Sequence, residues 1–160
     1  MKDKELLLDL LKTAVSKCYA DDKTLIDRSM ERASVARIYY YMQEKIITEE
    51  RFASLREYNL DSEYNKNKDK IKSSPRFPKG MIPDIVLHTR GNNTNNLLVT
   101  EFKPRKGKNE KYIPTGQPRD IVKLEDFTNS EIYNYFIGVF VKLYKKEAKY
   151  RFFQYGQETE

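Results

Sequence analysis

Two neighbouring stretches decide the fold: MIPDIVLHTR at residues 81–90 and LLVTEFK at residues 97–103. Both are apolar and contain several β-branched side chains, which is typical of buried strands. The residues between them, GNNTNN at 91–96, tolerate the backbone angles that turns require. The pattern predicts an antiparallel hairpin with a long turn.

Hydrophobic periodicity predicts the elements around this hairpin. Apolar residues recur at helical spacing over residues 2–19 and again over 29–47, where Ser29 is the expected N-cap. A weak, polar strand is predicted within residues 56–65. The remaining predicted elements are a helix from near Pro118 to residue 127 and strands at 135–141 and 149–155. The order α-α-β-β-β-α-β-β indicates an α/β fold, with helices flanking a sheet of about four to five strands.

The second predicted helix carries a carboxylate in an unusual place. Val35, Tyr39, Met42 and Ile46 are spaced by three or four residues and are expected to share a buried face. Glu31 stands four residues before Val35, at the head of the same face. A carboxylate in the first turn of a helix is also favoured by the helix dipole. Glu31 is therefore either a site residue or a helix-start carboxylate.

The length of 160 residues fits one domain with its own core. Residues 1–28 are expected to form an N-terminal helical extension, 29–144 the core and 145–160 a C-terminal strand. A single cysteine, Cys18, excludes an intrachain disulfide and a zinc knuckle, and its place in the first helical pattern predicts a buried side chain. The sequence predicts neither a signal peptide nor a membrane span, so we expect a cytoplasmic protein without a membrane partner.

The chain is basic, with 30 Lys and Arg against 24 Asp and Glu and a net charge of +6. This balance favours a polyanionic partner such as nucleic acid, although an ordinary lysine-rich surface explains it equally well. The cations concentrate in two loops, residues 66–79 and 104–118. The residues expected to bind nucleic acid are Lys66, Lys68, Lys70, Arg105, Lys106 and Lys108.

The hairpin also carries a pattern of charged residues, PD-x16-ExK. Asp84 starts its first strand and Glu101 lies near the end of its second, so an antiparallel hairpin places them side by side. Side chains alternate along a strand, so Glu101 and Lys103 share one face while Phe102 points to the other. Two carboxylates and the backbone carbonyl of Phe102 form an all-oxygen set for Mg²⁺, with Mn²⁺ as a substitute. Such an ion polarises a phosphate and activates water, and Lys103 offsets the developing charge, so the pattern suits phosphodiester hydrolysis.

Each half of this pattern is also common without any chemistry. Pro-Asp often begins a strand, and Glu-x-Lys near a strand end is often a surface ion pair. The two halves indicate a site because they fall on adjacent strands between two basic loops.

These motifs, taken in order, resemble the PD-(D/E)xK, or restriction-endonuclease-like, superfamily, and within it small stand-alone bacterial proteins. The resemblance covers roughly residues 29–144. The pieces that carry it are EYNKN at 63–67, PDIVLHTRG at 83–91, NNLLVTEFK at 95–103 and DIVKL at 120–124. It implies a core of helix, three strands, helix and strand around a mixed sheet. It also implies Asp84 and Glu101 as metal ligands, Lys103 as the catalytic lysine and Glu31 as a further site residue.

Three other polar residues have more than one interpretation. Glu63 is a further ligand, a base or the partner of a loop lysine. Lys123 shares a helical face with Asp120, and either touches a phosphate, reaches back to the carboxylates or belongs to a solvated face. His88 is expected to make a structural hydrogen bond near the turn, with a substrate contact as the alternative.

The sequence therefore predicts a Mg²⁺-dependent nuclease that acts on nucleic acid, DNA in preference to RNA. Sequence-specific cutting would need a homodimer or a partner subunit, because no separate specificity domain is visible. Two alternatives stay open. One is a catalytically silent member of the same fold that binds nucleic acid or protein, and the other is a component of a larger defence complex.

Overall fold

The structure, a computed structural model, describes residues 3–105 and 111–160. Lys106 and Lys108 therefore lie outside the described residues. The helices are α1 (Lys4–Asp21), α2 (Lys23–Asp27), α3 (Glu31–Thr48) and α4 (Arg119–Thr128), with a 3₁₀ helix at Glu50–Leu55. The strands are β1 (Asn59–Ser62), β2 (Lys66–Asn67), β3 (Lys70–Ile71), β4 (Ile85–His88), β5 (Leu98–Pro104), β6 (Ile137–Leu143), β7 (Ala148–Gln154) and β8 (Gln157–Thr159). Within these ranges no helix has the length and apolar character needed to cross a membrane.

One mixed sheet has the strand order β1-β4-β5-β6-β7-β8. β4 and β5 pair as the antiparallel hairpin that the sequence predicts. β5 and β6 are parallel, because the connection through α4 carries the chain back across the sheet. The other neighbouring pairs are antiparallel. The α/β class with a mixed sheet is therefore confirmed, but the sheet has six strands rather than four or five.

Three short strands were not predicted: β8, which is the sixth strand of the sheet, and β2 and β3, which form a separate two-stranded sheet. The predicted strand at 149–155 is β7, and the chain then reverses at Tyr155 and Gly156, both with positive φ, to form β8. Residues 66–79, predicted as a loop, contain the small β2–β3 hairpin. Both hairpins are too short for apolar alternation to reveal them.

Local hydrogen bonds decide where the first helices begin. The side chain of Asp3 caps α1 by accepting the N–H of Leu6 at 3.0 Å. The prediction of Ser29 as an N-cap is wrong. Ser29 has a φ of 54° and belongs to a tight turn, so Met30 stands at the cap of α3 without a side-chain hydrogen bond.

Helices cover both faces of the sheet and divide the core in two. α1 and α3 pack on one face, where Phe102 is buried together with Cys18, as predicted. α4 packs on the other face, against side chains such as Val99. Because side chains alternate along β5, Glu101 and Lys103 point toward α4. The side chains of Glu101 and Lys103 therefore lie on the α4 side of the sheet.

The buried face of α3 is rotated from the predicted one. Met42 and Ile46 lie in the core, whereas Val35 and Tyr39 are half-buried at its border. Glu31 stands beside Val35 at this border, where both line an open cleft. The helix thus places the Glu31 carboxylate at the edge of the core, facing solvent.

Candidate functional site

The β4–β5 hairpin brings Asp84 beside Glu101. Ile85 pairs with Thr100, so the residues just outside this pair are neighbours across the two strands. The backbone N–H of Asp84 donates to the carbonyl of Thr100 at 3.1 Å, and the Asp84 Oδ2 accepts the N–H of Phe102 at 2.6 Å. The backbone of β5 thus holds the Asp84 carboxylate at the end of the hairpin where Glu101 lies.

Glu101 is almost fully buried, with 2% of its surface exposed. Its Oε2 accepts a hydrogen bond from the Nζ of Lys123 at 2.7 Å. Its Oε1 is also buried and has no hydrogen-bond partner among the residues that the structure describes. Burial raises the pKa of Glu101 well above its usual range, and the charge of Asp84 adds to this, against the opposing cation of Lys123. A buried carboxylate oxygen without a partner is costly and needs an explanation such as an ion.

Lys103 points to the same face and ends at Asp120, in the first turn of α4. The Lys103 Nζ lies 2.8 Å from the Asp120 Oδ2. Burial lowers the pKa of Lys103, but the hydrogen bond and charge of Asp120 outweigh it, so the pKa is raised. Burial likewise raises the pKa of Asp120, but Lys123 and Lys103 outweigh it and the pKa is lowered. Both groups are therefore charged at neutral pH.

Lys123 links the carboxylates of the two strands and the helix. Besides Glu101, its Nζ lies 3.4 Å from the Asp120 Oδ1 and donates to the carbonyl of Ile82 at 3.1 Å. Only 8% of Lys123 is exposed, so the interpretation as a solvated face is wrong. The structure shows the arrangement in which Lys123 reaches back to the carboxylates. Lys103, Asp120, Lys123 and Glu101 form one continuous chain of ion pairs.

Asp120 is the member of this chain that the sequence did not single out as a site residue. Its spacing of three residues from Lys123 was visible, and that spacing places both on one helical face. What the sequence did not show is that this face packs across the end of β5.

Asp84 is half-buried, with the series of ion pairs on one side and solvent on the other. Burial raises its pKa to about 6; the N–H of Phe102 and the cation of Lys123 lower it, whereas the charges of Glu31 and Asp120 raise it. Asp84 is therefore harder to ionise than a solvent-exposed aspartate. A cation bound beside it would favour the ionised form.

Glu31 and Glu63 lie on the solvent side of Asp84. The three carboxylates, with Arg32, line a cleft of about 330 Å³, the acidic cleft. Glu63 has a φ of 49°, and its backbone N–H donates to the carbonyl of Asp84 at 2.9 Å. In the described ranges no ion pair joins Glu63 to a loop lysine, so that interpretation finds no support. Both glutamates are placed where they can meet a cation or water next to Asp84.

A second cleft, also of about 330 Å³, begins at Lys123. It is lined by the cations of Lys79, Arg119 and Lys123 and by the exposed side chains of Ile71 and Ile82. No Asp or Glu of the described chain belongs to this lining. The cleft, called the cationic cleft below, therefore suits an anion.

Metal binding would have to rest on few protein ligands. Among the described residues, no group of three or more His, Cys, Asp and Glu side chains is arranged to hold a metal ion. Asp84 and Glu101 are two carboxylates, and Glu101 Oε1 is unpartnered. This set fits Mg²⁺, which is commonly held by one or two carboxylates while water and substrate phosphate complete its shell.

The basic loops lie in two different places. Lys66, Lys68 and Lys70 are exposed on the β2–β3 hairpin, whose Ile71 lines the cationic cleft. Arg105 is exposed after β5, in a shallow groove beside the β6–β7 turn. Among the described residues of the two loops, Ile71 and Lys79 of the first loop line the cationic cleft.

Two other cations of the first loop are structural. Lys72 is 2% exposed, its Nζ donates to the carbonyl of Lys66, and it lies 4.5 Å from the ring centre of Tyr64 and 5.6 Å from that of Tyr133. Arg76 pairs with α4 residues, including Glu125 at 2.9 Å. Lys72 and Arg76 therefore do not add to the exposed basic surface formed by Lys66, Lys68 and Lys70.

His88 has the structural role that the sequence favoured. It is buried, and its Nε2 lies 3.0 Å from the Asp61 Oδ2 in β1. Arg90 donates to the same oxygen at 2.9 Å. A substrate contact is excluded by burial, and the cluster instead ties β1 to β4.

Comparison with known proteins gives no relative: no protein-family model matches the chain, and no curated protein matches it. The site itself therefore carries the functional proposal.

Proposed function

We propose that the chain is a Mg²⁺-dependent nuclease of the PD-(D/E)xK type, which hydrolyses phosphodiester bonds of nucleic acid, DNA in preference to RNA. One observation carries the proposal. The strand register places Asp84 opposite Glu101 across the hairpin, Lys103 shares the face of Glu101, and the Glu101 Oε1 is buried without a partner among the described residues.

The order of elements supports the restriction-endonuclease-like core. After α3, the strands β1, β4 and β5 follow as an antiparallel series, α4 crosses over, and β6 adds in parallel to β5. This is the order of helix, three strands, helix and strand that the resemblance implies. The motif residues stand on its second and third strands.

The electrostatics of the carboxylates support a bound cation. Glu101 is raised in pKa by burial, and Asp84 is raised to about 6, so both are costly to keep ionised without a nearby positive charge. Lys123 satisfies one Glu101 oxygen and leaves the other free. When bound at Asp84 and Glu101, Mg²⁺ would polarise the phosphate and lower the pKa of its water.

The protein's own side chains supply the remaining functions. Lys123 fixes the Glu101 carboxylate in one orientation, and Lys103, held by Asp120, presents a cation at the edge of the site. Lys79 and Arg119 in the cationic cleft attract the phosphates that flank the scissile bond. Glu31 and Glu63 border the acidic cleft, where they can orient water or the ion.

One observation favours the silent, binding-only alternative. Lys103 and Lys123 are both engaged in ion pairs, and a purely structural network would need the same contacts. Such a protein would still bind nucleic acid through the cationic cleft, alone or in a larger complex. The unpartnered Glu101 oxygen favours the enzyme, because a structural network has no reason to leave it unpaired.

The deciding experiment is a cleavage assay on single- and double-stranded DNA and RNA with Mg²⁺, Mn²⁺ or EDTA. We expect cleavage with either metal, none in EDTA, and none by Asp84→Asn, whose binding of Mn²⁺ measured by calorimetry should also weaken. Equal activity of the variant would assign the cleavage to a contaminant. If no substrate is cut with either metal, the silent alternative replaces the enzyme.

A further inference from the structure

A row of three lysines crosses the sheet on the face that carries the site. In the strand register, Lys103 of β5 lies opposite Lys142 of β6, and Lys142 lies opposite Lys149 of β7. Residues directly opposite in neighbouring strands point to the same face. The strands are about 4.8 Å apart, so the row continues from Lys103 over two further strands.

The neighbours of these lysines show that the row lies on the α4 side. Phe140, two residues before Lys142, and Phe153, four after Lys149, both belong to the core beneath α4. The C-terminal part of α4 lies over Gly138, where Leu124 and Thr128 make the close contacts. The N-terminal turn of α4 reaches Lys103 through Asp120. The row therefore runs along the N-terminal end of the helix.

Two of the three lysines in the row carry charge that no described carboxylate compensates, whereas Lys103 pairs with Asp120. Arg151, the next residue of β7 on this face, pairs with Glu158 at 2.7 Å. Within residues 3–105 and 111–160, by contrast, Lys142 and Lys149 have no ion-pair partner. Like charges directly opposite each other destabilise a sheet, so this arrangement has a cost that an anion spanning the row would relieve.

We infer that Lys142 and Lys149 form a track for the phosphate backbone of the nucleic acid, which leaves the site at Lys103 and crosses β6 and β7. The inference rests on the proposed function, because a row that starts at a phosphodiester site meets the phosphates next to the scissile one. The occupant is thus nucleic acid rather than an acidic protein. Neither lysine belongs to the loops that the sequence singled out.

The test measures DNA binding in EDTA, without cleavage, by fluorescence anisotropy of labelled single- and double-stranded oligonucleotides over a range of salt concentrations. The variant is Lys142→Gln with Lys149→Gln, which removes two charges and leaves Lys103 in place. Losing two phosphate contacts should reduce the slope of log K against log salt by about 1.8 on duplex DNA or about 1.4 on a single strand. Affinity at low salt should fall roughly 10-fold or more.

The matched control is Lys4→Gln with Lys12→Gln. These lysines lie on the opposite face, where Lys12 is 5.6 Å from the ring centres of Tyr150 and Phe152. The control removes the same charge, so its salt slope should stay close to that of the parent protein. Lys142→Arg with Lys149→Arg should restore binding, which separates lost charge from misfolding.

The possible outcomes test phosphate binding by Lys142 and Lys149 independently of nuclease activity. A reduced slope in the lysine-row variant alone supports the track, even if the protein never cuts DNA. Equal slopes for the variant, the control and the parent overturn the track while leaving any metal-dependent cleavage in place. Equal losses in variant and control also overturn it, because net charge alone would then explain binding. Absence of binding by the parent protein overturns the track as well.

Discussion

The Nζ of Lys123 lies 2.7 Å from the Oε2 of Glu101, and both side chains are almost fully buried. The pair joins α4 to β5 at the end of the β4–β5 hairpin where Asp84 lies. It also leaves the second Glu101 oxygen without a partner in the described structure. The ion pair thus fixes the helix on the sheet and engages only one of the two Glu101 carboxylate oxygens.

Lys123→Met should destabilise the fold, because it leaves the Glu101 carboxylate buried without its cation. Breaking a buried pair in this way typically costs about 3–5 kcal/mol. The double variant Lys123→Met with Glu101→Gln should recover much of that loss, since the amide carries no charge. Urea denaturation of the four proteins in this cycle measures the coupling. Additive effects would show that the two charges do not depend on each other.

Lys103→Ala should abolish metal-dependent cleavage and leave the fold intact. Lys103 is half-buried near the end of β5, so its truncation opens no core cavity, and Asp120 keeps its contact with Lys123. Removing a charge that stabilises the transition state typically slows a reaction on the order of 100-fold or more. Cleavage rates on DNA check this, with thermal unfolding as the control for folding. A cleavage rate within a few-fold of that of the parent protein would show that Lys103 takes no part in the chemistry.

Glu31→Gln should slow cleavage and raise the Mg²⁺ concentration required, because Glu31 shares the acidic cleft with Asp84. Glu5→Gln is the matched control, since Glu5 is also a first-turn carboxylate, on α1. Loss of the interaction with the helix dipole should cost both variants about 1 kcal/mol at most. Only Glu31→Gln should change the metal titration of the cleavage rate. If the two variants show the same metal titration of the cleavage rate, Glu31 only stabilises the start of its helix and has no role in the site.

Lys72→Met should stabilise the protein at pH 7. Burial lowers the pKa of Lys72 from 10.5 to about 8, so the folded state releases the proton near pH 8 whereas the unfolded state keeps it to about pH 10.5. Between these values the unfolded state binds more protons, and stability rises with pH. The gain in unfolding free energy from Lys72→Met is therefore largest below pH 8, up to roughly 3 kcal/mol. It is reduced by whatever the lost hydrogen bond to the Lys66 carbonyl and the lost contacts with Tyr64 and Tyr133 contribute. Above pH 8 the gain should shrink.

Urea unfolding at pH 7, 8 and 9 measures this trend. Lys70→Met is the control, because Lys70 is exposed on the same small hairpin. Its effect should not change over that pH range. A pH-independent effect of Lys72→Met would mean that the buried ammonium keeps its proton throughout.

The part of the site that depends on local geometry could be predicted from the sequence. Alternation along β5 and the antiparallel turn fix which strand residues share a face and which meet across the hairpin. Asp84, Glu101 and Lys103 were placed by these rules alone. The α/β class followed in the same way from the spacing of apolar residues.

Contacts set by tertiary packing could not be predicted. Asp120 reaches Lys103 only because α4 crosses the sheet with its first turn over the end of β5. Lys72 is buried against Tyr133, which is distant in the sequence. The basic residues next to Lys72 in the sequence are instead typical of an exposed loop. The lysine row needs the register of β6 and β7, which spacing in the sequence does not contain.

The β4–β5 hairpin has its two carboxylates and its turn at opposite ends. Asp84 and Glu101 stand where β4 begins and β5 approaches its end, whereas residues 91–96 reverse the chain at the far end. Thr94 and Asn95 in that turn are exposed, so a segment inserted between them would project away from the carboxylates. An additional domain could therefore be gained or exchanged there, by evolution or by engineering, with the arrangement of Asp84 and Glu101 left unchanged.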